Sequence, residues 1–154
     1  MRRKDREITD KNRIEEFIAT EQILRVAFYD DGEIYIVPVN YGYFFDGQYV
    51  FYFHGAKAGR KYELAKKGPS VGFEIDGKYS LVAGEEACDY SATFQSVAGT
   101  GILNLVEDDA EKIKGLNTIM KQTTSEDKWH YSNEMLDAVA VFRLDVKKLS
   151  CKGK

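Results

Sequence analysis

Between residues 54 and 61 the chain reads His54-Gly55-Ala56-Lys57-Ala58-Gly59-Arg60-Lys61, which gathers an imidazole, two glycines and three cationic side chains. An aromatic strand, Gln48 to Phe53, leads into this stretch and a helix, Ala58 to Lys67, leads out of it. Glycines let the backbone turn sharply and come close to a ligand. The first N–H groups of a helix lack intrahelical acceptors, and the helix dipole favours an anion beside them. With Lys57, Arg60 and Lys61 alongside, the stretch has the make-up of a phosphate cradle. Gly-plus-Lys turns also occur as solvated corners, and the spacing alone leaves both readings open. His54 has two readings as well. Its imidazole can hydrogen-bond to a ligand and change charge near neutral pH, or it can simply cap a strand end.

The elements that must position these groups are mostly strands. Thr9 or Asp10 caps a first helix, Lys11 to Ala19, with Ile14, Phe17 and Ile18 on one face. Ile23 to Tyr29 reads as a strand closed by the turn Asp30-Asp31-Gly32. Glu33 to Phe45 reads as one long aromatic strand with Pro38 in the middle, where the missing N–H marks an edge, a bulge or a ligand contact. Asp46-Gly47 turns the chain into Gln48 to His54. Gly68-Pro69 stops the helix after the cationic turn, and Ser70 to Ile75 returns as a strand. The segment from Lys78 to Asp89 is ambiguous between a short strand and a loop. Ala92 to Val106 is a strand bent at Gly99 and Gly101, followed by a helix from Asp108-Asp109 through Thr123. A polar connection, Thr124 to Tyr131, precedes a last strand, Ala138 to Val146, and a Lys-rich tail. Six or so antiparallel strands with marginal helices make a single mainly β domain, a barrel decorated by helices.

Bulk properties narrow the function. A net charge of −3 creates no global field that would recruit nucleic acid or a membrane surface. No apolar run approaches the roughly 20 residues of a membrane span. The charged start Met1-Arg2-Arg3-Lys4-Asp5-Arg6-Glu7 has no apolar segment behind it, so it does not read as a secretory signal. Cys88 and Cys151 are far apart with no neighbouring histidine, which fits reduced thiols in a cytoplasmic protein rather than a disulfide framework or zinc site. Ten Tyr and nine Phe against one Trp and two Pro favour strands and can line a flat pocket.

The pieces "PVNYGY", "YFHGAKAGRK" and "FQSVAGTG", in this order along nearly the whole chain, resemble the flavin-binding split-barrel proteins related to pyridoxamine 5′-phosphate oxidase. Within that family the resemblance is to the branch that includes nitroimidazole-resistance proteins. It implies a six-stranded antiparallel split β-barrel that works as a homodimer, with two flavin sites between the subunits. Carried over residue by residue, Val37, Pro38, Val39, Asn40 and Tyr41 match the strand along the isoalloxazine ring. His54 matches a strand-end histidine beside the flavin, and Gly55, Ala56, Gly59, Arg60 and Lys61 match the phosphate turn. Ser96 and Val97 match a pair on the strand alongside. Arg25 stands where the family often places a basic group, and Trp129 is a candidate to reach a neighbouring subunit's flavin. The chain departs from the true oxidases at its end, "LSCKGK", which lacks the basic and aromatic signature that grips pyridoxamine phosphate.

The function expected on these grounds is an FMN flavoprotein, with FAD or haem as the lesser alternatives. Its flavin would exchange hydride with NAD(P)H or another reductant and act on small nitro-aromatic or quinone-like substrates. No triad, metal cluster or carboxylate pair competes for the chemistry, and no GxGxxG fingerprint supplies a separate nicotinamide site. Tyr41 and Tyr43 share a strand face, either as hydrophobic lining with tethered hydroxyls or as stacking groups. The rival class is a non-catalytic flavin or haem carrier or sensor.

Overall fold

The computed structural model describes residues 3–126 and 128–154. Met1 and Arg2 of the charged start, and Asp127 of the polar connection before Tyr131, lie outside the described residues. A turn of 3-10 helix at Lys4–Arg6 leads to strand β1 (Glu7–Ile8) and helix α1 (Lys11–Thr20). Strands β2 (Ile23–Asp30), β3 (Glu33–Asn40), β4 (Gly42–Phe45) and β5 (Tyr49–Ala56) come next, then helix α2 (Arg60–Ala65). The long strands β6 (Ser70–Val82) and β7 (Ser91–Val106) are followed by α3 (Asp109–Thr124), α4 (Asn133–Ala138) and β8 (Val139–Gly153).

Local chemistry explains the boundaries. Asp10 caps α1 by accepting the Arg13 N–H at 3.0 Å, and Asp108 caps α3 by accepting that of Glu111 at 2.9 Å. At the β2–β3 hairpin both Asp31 and Gly32 have positive φ, the geometry that a two-residue turn needs to match strand twist. Every strand pair is antiparallel, in the order β3-β2-β6-β7-β8-β5-β4, with β1 added to β8. The sheet curls until β3 runs beside β5, yet among the described residues no ladder joins them. This open seam is the split of a split barrel.

Alternation along the strands fills the interior with Leu24, Val26, Phe28, Phe51, Phe53, Ile75, Val97, Phe142 and Leu144, against Phe17 and Ile18 of α1. A second cluster, with Val50, Tyr52, Val141, Leu116 and Ile119, glues α3 to the outside of β5 and β8.

The structure differs from the sequence reading in four places. The expected strand from Glu33 to Phe45 breaks at Tyr41 into β3 and β4, because β4 turns off to pack on α3; with β1 this raises the strand count to eight. β6 continues past Ile75 to Val82 by way of an irregularity between Gly77 and Ser80, where Lys78 takes a positive φ. α4 is an extra helix, capped by Ser132 and too short for its periodicity to be read. The tail is not free: β8 runs on to Gly153, where Lys152 pairs with Glu7 and Cys151 is buried beside Val97.

Close packing of α3 on β4 rests on Gly42, since a Cβ there would lie 2.2 Å from the Thr118 carbonyl oxygen. At Gly72 an added Cβ meets only the Ala27 side chain, at 3.7 Å. Gly42→Ala should therefore cost about 1–3 kcal/mol of stability, as overpacking does, read as a lower urea midpoint. Gly72→Ala should leave it unchanged or slightly raised. An unfolding curve for Gly42→Ala that overlays wild type would refute the account of this helix–strand contact.

Candidate functional site

β5 leaves the barrel carrying the aromatic and basic residues of the turn. Phe53 points inward with exposure of 0% and stacks on Phe142 of β8, the centroids 4.9 Å apart and the rings 13° from parallel. His54 points the other way, exposed, opposite Val141 of β8. Gly55 points inward again. A Cβ at Gly55 would come within 2.9 Å of the Lys61 Nζ, so a side chain there would push the end of the lysine aside. The Lys61 ammonium lies 5.1 Å from the Phe142 centroid and 5.6 Å from that of Phe53, at cation–π distance from both.

Among the described residues Lys61 has no carboxylate within ion-pair distance, and burial lowers its pKa below the ordinary lysine value. The turn between them ends at Gly59, whose φ of 88° favours glycine although nothing crowds a Cβ there. Gly59 accepts the Glu63 N–H and opens α2, leaving the N–H groups of Arg60, Lys61 and Tyr62 as the first turn.

The two neighbouring cations behave differently. Arg60 turns to the β2–β3 hairpin, donating to Asp30 at 2.9 Å and Glu33 at 3.0 Å while lying 5.0 Å from the Tyr35 centroid. Lys57 lies against a separate cavity of about 190 Å³ with Tyr62 and Lys112.

The seam extends the site along β3. Arg60 meets the start of β3, and at the far end Tyr41 packs edge-on against Phe51 at 5.6 Å, so β3 lies antiparallel alongside β5. Pro38 and Asn40 face outward, Val37 is half-buried and Val39 is buried. Tyr41 belongs to the core: it is 1% exposed and donates its hydroxyl to the Ile18 carbonyl at 2.6 Å. Tyr43 is tethered likewise to the Glu15 carbonyl at 3.1 Å. Both hydroxyls serve α1.

The remaining residues lie elsewhere in the chain. Ser96 and Val97 pair with Asp76 and Ile75, and Ser96 lies ten positions along β7 from Val106, which faces the Val141–His54 row. At about 3.3 Å per residue that is roughly 33 Å of strand, so one subunit alone does not bring Ser96 to the turn. Arg25 stands on the outward face near them, paired with Glu74 at 3.2 Å and with Asp76. Trp129 is tied to α3, its backbone N–H donating to Asn117 and its indole to the Glu126 carbonyl. The Phe53–Phe142 platform and the Asp30/Glu33 partners of Arg60 carried no sequence signal, because each joins residues remote in the chain.

Comparisons with known proteins agree with the fold. A family model described as pyridoxamine 5′-phosphate oxidase matches residues 10–153. No curated protein gives a significant match. A candidate 5-nitroimidazole antibiotic resistance protein of Bacteroides thetaiotaomicron has 30% identity over 96% of this chain and 86% of its own, with a TM-score of 0.82. An FAD- and haem-binding protein of Mycobacterium smegmatis shares the fold, with a TM-score of 0.83 at 17% identity, over 97% of this chain and 73% of its own. A flavocytochrome of Azotobacter vinelandii does so too, with 0.81 at 20% identity, over 100% and 72%.

Partial desolvation and a neighbouring charge both act on His54. Its pKa is pushed below the ordinary value, first by burial and then by the Lys61 ammonium. Lys61→Met should raise it towards about 6.5. In wild type the unfolded chain takes up the proton first as pH falls, so the stability held above about pH 6.5 is lost as pH drops through the folded-state pKa. NMR titration of the imidazole checks the shift, and a His54 pKa that ignores Lys61→Met would separate the two groups.

Proposed function

The chain belongs to the pyridoxamine 5′-phosphate oxidase family, and we propose that it is an FMN-binding flavoprotein and a flavin-dependent oxidoreductase for small aromatic substrates. The observation that carries this reading is the Lys61 ammonium. It is desolvated, has no carboxylate partner among the described residues, and lies beside free N–H groups at the start of α2. A half-buried cation without a counter-ion has lost part of its hydration, and a dianionic phosphate would replace it with charge-assisted hydrogen bonds. The residues present thus fit the phosphate end of FMN.

When bound, the flavin supplies the hydride chemistry through its isoalloxazine ring. The protein's part is placement. Lys61 and the turn N–H groups hold the phosphate, Gly55 keeps room for the lysine, and the unpaired β3 edge from Val37 to Asn40 offers backbone and Pro38 to the ring. His54, kept neutral to a lower pH than usual, serves as a hydrogen-bond partner at the strand end.

The site works in a homodimer. On the outer face of β2 and β3, Tyr29 is 69% exposed, Ile34 65% and Ile36 58%, and register puts them side by side. Such a patch favours self-association and lets a second subunit bring its Ser96 and Trp129 towards the turn. Ile36→Asp should yield a monomer by light scattering, with weakened FMN binding. A wild-type protein that stays monomeric while holding flavin would remove the two-subunit site.

Lys61→Ala tests the phosphate contact itself. It should cost on the order of 1.5–3 kcal/mol, or roughly ten- to a hundred-fold in FMN affinity. Riboflavin, which lacks the phosphate, should lose little. Equal losses for both ligands, followed by fluorescence quenching, would mean that the turn supports the fold instead. Anaerobic bleaching of the bound flavin by NADPH then separates an oxidoreductase from a carrier.

A further inference from the structure

Past the irregularity at Lys78, β6 and β7 leave the barrel as a two-stranded arm. Ser80 pairs with Thr93, Leu81 with Ala92 and Val82 with Ser91, and from there on each strand has only the other as a neighbour among the described residues. Residues 83–90 close the tip. The Asp89 N–H donates to the Glu86 carbonyl at 3.0 Å, and a Cβ on Gly84 would lie 2.4 Å from that of Asp89. Alternation along β7 is unbroken here: Gln95 and Val97 are buried, so Ala92, Phe94 and Ser96 look outward. Leu81 looks outward with its partner Ala92, and Tyr79 lies two residues before it on the same face. They are 59% and 72% exposed. A lone two-stranded ribbon is marginal in water, and this one also presents an apolar face.

Continuity and charge point to a second copy of this chain as the cover. The outward residues run without a break from Tyr29, Ile34 and Ile36 through Ala27 and Gly72, across the Arg25 fork with Glu74 and Asp76, and into the arm. The tip carries Glu85, Glu86 and Asp89, none of them in an ion pair among the described residues. Lys57, exposed and equally unpaired, lines its cavity beside Val106, at the far end of β7. β7 spans 16 residues, roughly 50 Å at about 3.3 Å each, so these opposite charges cannot meet within one chain. Between two chains they can. A two-fold axis lying in the shared face and crossing the strands sets the arm end of each copy beside the turn end of the other. We propose that the β6–β7 arm of each subunit lies across the cationic turn of its partner, with Tyr79 and Leu81 packed over the site and the acidic tip against Lys57. This arrangement rests on the homodimer reading above and adds to it the segment that closes each site.

The cysteines provide the test, because Cys88 is exposed at the arm tip and Cys151 is buried. Lys57→Cys in the full-length protein, oxidised with copper phenanthroline in the absence of flavin, should give a disulfide-linked dimer. Mass spectrometry should place the link between position 57 and Cys88. A disulfide needs Cα atoms within about 7 Å, so this link cannot form inside one chain. Wild type should stay unlinked, and so should Lys57→Cys combined with Cys88→Ser. Adding Leu81→Asp to Lys57→Cys should lower the yield about tenfold, because the apolar contact is lost. No 57–88 link in a protein that light scattering shows to be dimeric, a Cys88–Cys88 link in wild type, or a yield indifferent to Leu81→Asp would each overturn the trans position of the arm. A monomeric protein would overturn it together with the homodimer. A 57–88 link in a protein that fails to bind FMN would support the arm and count against the flavin reading alone.

Discussion

The ladder formed by β8 is the interaction on which the other parts depend. β4 and β5 join the remaining sheet through β8, which pairs with β5 over its first half and with β7 along its length. Phe142, Leu144 and Val146 on its inner face complete the barrel interior, and Val141 on its outer face receives α3. The same strand supplies the ring beneath Lys61. Anything that shifts β8 along β5 by one residue would turn Phe142 outward and leave the ammonium without its platform, since neighbouring strand residues face opposite ways. The cationic turn is therefore an outcome of sheet register as much as of its own glycines.

Much of this was legible in the sequence, and the pattern of success is physical. The helix caps at Asp10 and Asp108, the hairpin at Asp31-Gly32 and the strands with inward Phe and Val follow from short-range rules, and they appear where those rules put them. The breaks came where tertiary packing decides. The division at Tyr41 follows from the packing of β4 on α3, a contact between residues far apart in sequence. The Lys-rich end looked like solvated tail because its outward residues dominate the composition, while Leu149 and Cys151 fill the inner row. For the site, the turn from His54 to Lys61 could be read from its own residues. The roles within it could not, because Arg60 and Lys61 are chemically alike in sequence and are separated only by the side of the turn they face.

That separation follows a general difference between the two cations. Three arginines in the fold are each forked between two carboxylates: Arg25 with Glu74 and Asp76, Arg60 with Asp30 and Glu33, Arg143 with Glu111 and Asp145. A planar guanidinium suits such bidentate pairing. Lys61 instead buries its stem beside Gly55 and rests its ammonium on the stacked rings. A lysine so placed keeps its charge available, and its lowered pKa records the lost hydration that an anion would replace.

Arg60 need not be lost to the site on this account. The Arg60 side chain is 42% exposed, Glu33 73% and Asp30 27%, so the fork lies at the surface, and its Glu33 arm belongs to the class that contributes about 0–1 kcal/mol. Phosphate contacts of a charge-assisted kind outweigh that. On the proposed phosphate reading, the Asp30/Glu33 pair is a local counter-charge to Arg60, while Lys61, which has no such partner among the described residues, would set the strength of anion binding. The division of labour explains why two adjacent cations in one turn should differ in their response to substitution. On that reading Lys61 would govern affinity directly, and Arg60 would contribute only the difference between its bond to an anion and the weak pair it gives up.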